Sequence, residues 1–316
     1  MLKERQFSLR IGLPSQDIFL AEDVAGDIPE EYQLLFKRGE RKELDKLLLT
    51  RDGGYICTEK VRTGLMNSAL FCEELVSWMI DRYPGWFRVY EDTLVQRIIA
   101  GKSKTERQGN GASLEAGKNV INAKHAVLCT NGYNDLEIEG QEASMDLAVK
   151  GLVGFMVGYT GRELRDPAAS AYFSSRGSGQ EGYFYMTRRM YIDGANRELT
   201  SVGGPDRPLG TNERYRPEDI PEAEEEYSKI EDFYRKTVVG VSADIRRDFS
   251  WHGLMGYTSS GVRVIGRDPN QSCLLYNLGC NGIGILPSIY GGKRVAQIIN
   301  GEALGPSIFD PIRPSH

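Results

Sequence analysis

The chain has 316 residues, 40% apolar and 26% charged, which suits a globular protein with core enough for two domains. A net charge of −5 offers no basic surplus for a nucleic-acid partner. No window approaches the ~18 uninterrupted apolar residues of a membrane helix. The opening residues Met1 to Gln6 hold no apolar signal core, so the cytoplasm is the expected location. The five cysteines (57, 72, 129, 273 and 280) are odd in number and lack CxxC spacing; they read as buried free thiols. Three histidines (His125, His252, His316) are too few for a His-rich metal centre, and no metal site is expected.

Residues 1–54 read as a polar, helical amino-terminal segment, with helical spacing of Leu and Ile over 17–20 and 44–49. Residues 65–81 predict an amphipathic helix with Leu65, Leu70, Phe71, Leu75, Trp78 and Met79 near one face, stopped by Pro84-Gly85. One or two strands follow over 87–99, a polar hairpin tip over 101–111, a turn at Gly117-Lys118 and a short strand at Val120-Ile121. His125 to Thr130 is a continuous apolar run, the pattern of a central strand covered on both faces. It ends in Thr130-Asn131-Gly132-Tyr133, a simple turn or a ligand-facing strand end.

Residues 152–159, 183–191 and 199–202 read as three strands of an antiparallel sheet, with a turn at Asp193-Gly194. A Gly/Pro-rich loop covers 203–216. A helix follows over 221–237, with Tyr227, Ile230, Phe233 and Tyr234 inward and an acidic first turn. Residues 249–266 are again strand-like. Leu274 to Tyr276 predicts a buried strand, then three glycines in six residues (Gly279, Gly282, Gly284), then a helix from Pro287 to about Asn300. Strand, glycine turn and helix start bring bare backbone, unpaired N–H groups and partial positive charge to a ligand.

The run from Trp251 to Gly266, followed by 274–288, resembles the carboxyl end of FAD-dependent oxidoreductases of the D-amino-acid-oxidase-like (DAO) family. Upstream, Thr93-Leu94-Val95 resembles the strand that meets the adenine, and 126–133 resembles the strand and turn beside the dinucleotide. The resemblance covers roughly residues 55–310. It implies an α/β (α+β) fold, with a truncated FAD/NAD(P)-binding Rossmann-like domain over 55–148 and 250–316. An antiparallel-sheet substrate domain would occupy 149–249.

The resemblance implies FAD as cofactor, an amine or amino acid as substrate, and hydride transfer to flavin. It implies cofactor contacts at Val95, Thr130, Asn131, Gly132, Trp251, Gly279, Gly282, Ile283, Gly284 and Ile285. The alternative for the glycine turn is packing alone. Arg263 is a candidate for gripping a carboxylate, or else a surface arginine on a strand edge. Tyr185, with Tyr183 on the same face, is a candidate wall of an amine pocket or a sheet-packing residue. His252 is a proton shuttle or, more simply, structural. Arg188 and Arg189 alternate on their strand, one inward and one outward.

One departure stands out. The family opens with a strand–GxGxxG–helix–strand unit that cradles the ADP half of FAD, and no such unit is found; Gly109-Asn110-Gly111 follows a polar segment. Loss of that cradle costs several hydrogen bonds of about 1.5–3 kcal/mol each. The expectations are a partial sequence, a separate chain that supplies the ADP-binding unit, or a non-catalytic remnant or partner subunit acting in assembly through an open sheet edge.

Overall fold

The computed structural model describes residues 17–27, 30, 36–50, 52–60, 64–101, 111–133, 136–139, 149–161, 169–175, 182–191, 197–209, 215–216, 218, 220, 223–238, 240–241 and 245–311. The chain runs β1 (Asp17–Ala21), a 3-10 turn (Glu22–Asp27), β2 (Lys37–Gly39), α1 (Arg41–Leu48), β3 (Cys57–Lys60) and α2 (Ser68–Arg82). Next come β4 (Arg97–Ala100), β5 (Ala112–Ala116), β6 (Asn119–Ala123), β7 (Ala126–Leu128), β8 (Glu137–Glu139) and β9 (Val149–Thr160). Then follow β10 (Ala169–Ser175), β11 (Gly182–Met190), β12 (Glu198–Gly203), β13 (Arg207–Pro208) and α3 (Ala223–Thr237). The last are β14 (Phe249–Thr258), β15 (Val264–Arg267), β16 (Leu274–Leu278) and α4 (Ile285–Ile299).

Two compact units emerge, one of Met1–Met66, Phe155–Pro205 and Pro221–Trp251, the other of Asn67–Gly154, Asp206–Ile220 and His252–His316. The first unit therefore takes in residues up to Met66, where the sequence suggests a segment apart. The cuts at 154/155 and 251/252 fall inside β9 and β14.

In the first unit β10, β11, β12 and β9 pair antiparallel in that order; β9, β11 and β12 match the three expected strands, and β10 is an addition that the sequence reading missed. Helix α3 lies on this sheet because Tyr227, Ile230 and Tyr234 recur at helical spacing and are buried. Tyr234 stacks on Tyr159 of β9 at 4.7 Å, and Phe233 stacks on Phe184 of β11 at 3.9 Å. The helical expectation fails over 17–20: these residues form β1, parallel to β2 and antiparallel to β3. Four residues are too few to fix a helical period, and pairing decided the matter. The expected helix over 44–49 exists as α1, which buries Leu44 and Leu48.

Tyr159 is 2% exposed, and among the described residues its hydroxyl finds no hydrogen-bond partner. Burial, reinforced by Glu231, holds that hydroxyl well above the ordinary tyrosine range. Tyr159→Phe removes an unsatisfied buried group and is expected to stabilise the protein by about 1 kcal/mol, read as a higher urea midpoint.

In the second unit, β7 runs parallel to β16, and β15 pairs antiparallel on the other side of β16. A separate sheet has the order β6-β5-β4-β8. The two meet in one core containing Ile98, Ala112, Leu128, Leu274, Tyr276 and Leu278. On the opposite face, Val295 and Ile298 of α4 pack on Ile265 and Leu275.

Four expectations change here. Residues 125–130 do not make a strand buried on both faces: β7 is an edge among the described strands, and Val127 is 41% exposed. Strand structure in 87–99 is confined to β4; Asp92, at φ 49°, breaks the preceding run. The helix over 65–81 forms as α2, capped by Asn67, but no residue of it is buried. All five cysteines are free, yet Cys72 and Cys129 are exposed and only Cys273 is fully buried. The hairpin tip at 102–110 and the turn at Asp193-Gly194 lie outside the described residues. No described helix is long and apolar enough to cross a membrane.

His125 sits half-buried just before β7. Burial, then the charges of Arg267 and Lys124, lowers its pKa from the ordinary value. The folded chain thus binds this proton less readily than the unfolded chain. Its contribution is fully present above about pH 6.5 and is lost as pH falls through the lower folded value. His125→Gln is expected to flatten that acid-side loss, seen by comparing urea midpoints at about pH 7.5 and about pH 5.5.

Candidate functional site

β16 ends at Leu278, and the chain turns through Gly279 (φ 77°), Cys280, Asn281 (φ 48°) and Gly282 (φ 79°) before α4 begins at Ile285. Left-handed backbone at three positions in four explains the residue choice, since glycine and asparagine adopt it at low cost. Space adds a second constraint. A Cβ on Gly279 would lie 2.6 Å from Thr258, and one on Gly282 would lie 2.9 Å from the Tyr257 hydroxyl. That hydroxyl donates to Asp206 at 2.8 Å.

The turn is tied down on two sides. The Cys280 N–H donates to Asn131 Oδ1 at 3.0 Å, and Asn131 Nδ2 donates to the Cys280 sulfur at 3.2 Å. Asn131 itself is left-handed (φ 53°) and follows β7, so the carboxyl ends of two neighbouring parallel strands are joined by one side chain. On the other side, Asn281 Oδ1 accepts from the Thr258 N–H at 2.8 Å, while the Asn281 N–H donates to Gly256 O at 2.9 Å. Gly132 must be glycine-sized here: a Cβ would sit 2.6 Å from Met255 O.

Helix α4 starts with Gly284 as N-cap and no side-chain cap, and Pro287 has no N–H to offer. Its first-turn N–H groups have no intrahelical acceptors. Ile283 and Leu286 are each 73% exposed, so the turn presents backbone and apolar side chains at the surface. Beneath it lies Arg263, 7% exposed. Its Nη2 donates to Asn277 Oδ1 at 3.1 Å and to Ser288 Oγ at 2.9 Å; Nε and Nη1 have no partner among the described residues. Asn277 Nδ2 donates to Ser288 O at 3.1 Å. Gly291 lets α4 come down on Asn277, because a Cβ there would collide with that side chain.

The structure thus brings Thr130, Asn131, Gly132, Gly279, Gly282, Ile283, Gly284, Ile285 and Arg263 into one unit, at adjoining strand ends and the α4 start. Val95 belongs to the same unit, but it precedes β4 outside any strand and packs, half-buried, on the core. Trp251 and Tyr185 belong to the other unit. Trp251 is 42% exposed on β14, and the Tyr185 ring covers Gly203 so closely that no Cβ would fit there. Tyr172, Tyr183 and Tyr185 stack in a row at 5.6 and 6.3 Å. Arg188 and Arg189 alternate on β11: Arg188 lies on the side of Tyr234 of α3, whereas Arg189 Nη1 donates to Met190 O in an exposed setting, and both are half-buried. Arg263 is buried, not a surface arginine. The Tyr215 hydroxyl lies 3.0 Å from His252 Nδ1 and donates to His252 O at 3.1 Å, a structural setting.

The sequence reading missed Asn277, Asn281 and Ser288. Asn281 carried a usable signal, as the non-glycine residue in a glycine turn that best tolerates positive φ. The spacing GxGxxG does occur at Gly177-Ser178-Gly179-Gln180-Glu181-Gly182. It connects β10 to β11, an antiparallel pair, and not a strand to a helix; residues 176–181 lie outside those described.

The glycine oxidase from Geobacillus kaustophilus has a similar structure, with TM-score 0.62 and 17% identity over 98% of this chain and 79% of that one. L-proline dehydrogenase from P. horikoshii gives 0.56 and 16%, over 97% and 79%. Iminodiacetate oxidase from Chelativorans sp. BNC1 gives 0.54 and 12%, over 98% and 81%. At these identities the likeness speaks for the fold. No curated protein matches the sequence. The model of the family described as DAO, FAD dependent oxidoreductase, matches residues 26–298 and so takes in both units and the whole glycine turn. A match over that much of the chain, on a shared fold, means that the protein belongs to the DAO family of FAD-dependent oxidoreductases, whose cofactor is FAD.

Proposed function

We propose that the chain oxidises an amine or amino acid by hydride transfer to FAD. The supporting observation is the bare turn 279–284, continuous with an uncapped helix start and pinned by Asn131 to the end of β7. These residues fit one part of the cofactor: glycines that admit close approach, exposed apolar side chains for a flat ring, and N–H groups for negative charge at its edge. Bound FAD supplies the hydride acceptor. The protein's part is to bind the ring, exclude water with Ile283 and Leu286, and hold charge near its edge.

For the ADP half, the described residues offer no second strand–glycine–helix cradle beside the one from β16 to α4. The proposal therefore includes a segment or a separate chain that supplies it. The substrate side draws on Tyr185 with its stacked neighbours Tyr183 and Tyr172. Arg263 serves through its charge, since its free nitrogens are enclosed. Relatives with similar structures are named for glycine, proline and iminodiacetate, which makes small amino acids and secondary amines the first substrates to try. A cytoplasmic location is part of the same reading.

The test is direct. Purified protein mixed with FAD should turn yellow and retain the colour through gel filtration; anaerobic addition of an amino-acid panel should bleach it. A protein that takes up no flavin, alone or with a supplied amino-terminal unit, is not this enzyme, and the non-catalytic assembly reading takes its place.

A further inference from the structure

The observation is an unbalanced charge. Arg263 is more than nine-tenths buried, and among the described residues no carboxylate pairs with it. Its contacts are neutral: Asn277 Oδ1 and Ser288 Oγ, both from Nη2. The titratable groups whose charge reaches it are the thiols of Cys280 and Cys129. Burial lowers its pKa from the ordinary arginine value, with those two thiols acting the other way, yet a guanidinium keeps its proton over the working pH range. Ser288 belongs to the first turn of α4, so the cation sits at the helix end that is itself partially positive. Two like-signed fields meet beneath the turn 279–284; on its other side stands the Asp206 carboxylate, which accepts at 2.8 Å from the Tyr257 hydroxyl facing Gly282.

We infer that Arg263 is a positioning residue whose enclosed charge acts through the turn to favour an anionic ligand edge, in this chain the reduced flavin ring. This rests on the proposed flavin reading. The charge is fixed in place by Asn277 and Ser288, is reached by no described counter-ion, and works without contact. A carboxylate beside it would cancel the effect; a lysine would preserve it.

Two readouts test this, one without flavin. In the apoprotein the thiol of Cys129, an exposed residue just after β7, senses the same charge: partial burial of the thiol pushes it up and Arg263 pulls it down. The pH profile of Cys129 alkylation by iodoacetamide, followed by peptide mass spectrometry, should move up by about one unit in R263Q and stay in place in R263K. In the FAD-loaded protein, R263Q should weaken the preference for reduced over oxidised flavin about tenfold, a drop of ~30 mV in midpoint potential for a two-electron couple, again restored by R263K. S288D keeps the packing and sets a carboxylate beside the guanidinium, and should mimic R263Q in both readouts even if R263Q melts early. An unmoved Cys129 profile in both R263Q and S288D overturns the inference whether or not FAD binds. A moved Cys129 profile with an unmoved potential overturns its flavin part. Failure of the wild-type protein to take up FAD overturns the oxidoreductase reading instead, and the Cys129 profile still decides whether the charge reaches the turn.

Discussion

Tyr276→Ala is expected to cost about 5 kcal/mol of stability. Tyr276 is fully buried at the centre of β16, between two hydrogen-bonded strands. Deleting a buried aromatic side chain costs about 3–5 kcal/mol in lost burial and cavity formation. A second loss adds to it. The Tyr276 hydroxyl donates to Asp268 Oδ2 at 2.5 Å, while Asp268 Oδ1 accepts from the N–H groups of Asn270 and Gln271 at 2.7 Å each. Asp268 is 3% exposed, so removing the hydroxyl leaves half of a buried carboxylate unsatisfied. Tyr276→Phe keeps the volume and is expected to cost only about 2 kcal/mol. Urea unfolding, with amide exchange in β16 as the local probe, separates the two. Since a domain's total stability is about 5–15 kcal/mol, the alanine variant should lie near the edge of folding.

Asn131→Ala is expected to cost about 2–3 kcal/mol and to weaken FAD binding at least ~10-fold. The side chain is the link between the β7 end and the glycine turn, through two hydrogen bonds to Cys280. Its own backbone is left-handed, which alanine adopts at a cost of about 1–2 kcal/mol. Asn131→Asp keeps the acceptor and the tolerance for that backbone, and should lose less. Flavin fluorescence titration measures the affinity and thermal melting the stability. An alanine variant that binds FAD as tightly as the wild type would uncouple this link from the cofactor.

Much of the architecture was legible because burial writes itself into residue order. The run Leu274-Leu275-Tyr276 is apolar without a break and is a buried strand. The spacing of Tyr227, Ile230 and Tyr234 marks the inner face of α3. The three strands around β11 follow from β-branched and aromatic runs between turns, and the glycine turn with its helix follows from Gly279, Gly282 and Gly284. Each of these is a local pattern, set by period or by backbone freedom.

Other features depended on partners distant in sequence. The stretch 17–20 became a strand because β3, some forty residues on, pairs with it. The run at 125–130 became an edge strand because order within a sheet is not encoded in any one strand. Helix α2 kept its amphipathic pattern and buried none of it.

For the site, the sequence determined where backbone would be bare and which family the chain resembles. Only the tertiary structure decided that Asn131, 149 residues from Cys280, would hold the turn, or that Arg263 would lie enclosed beneath it. Hydrogen-bond partners and counter-charges are matters of distance in space. A glycine's conformational freedom can be read from the chain; the charge that lies under it cannot.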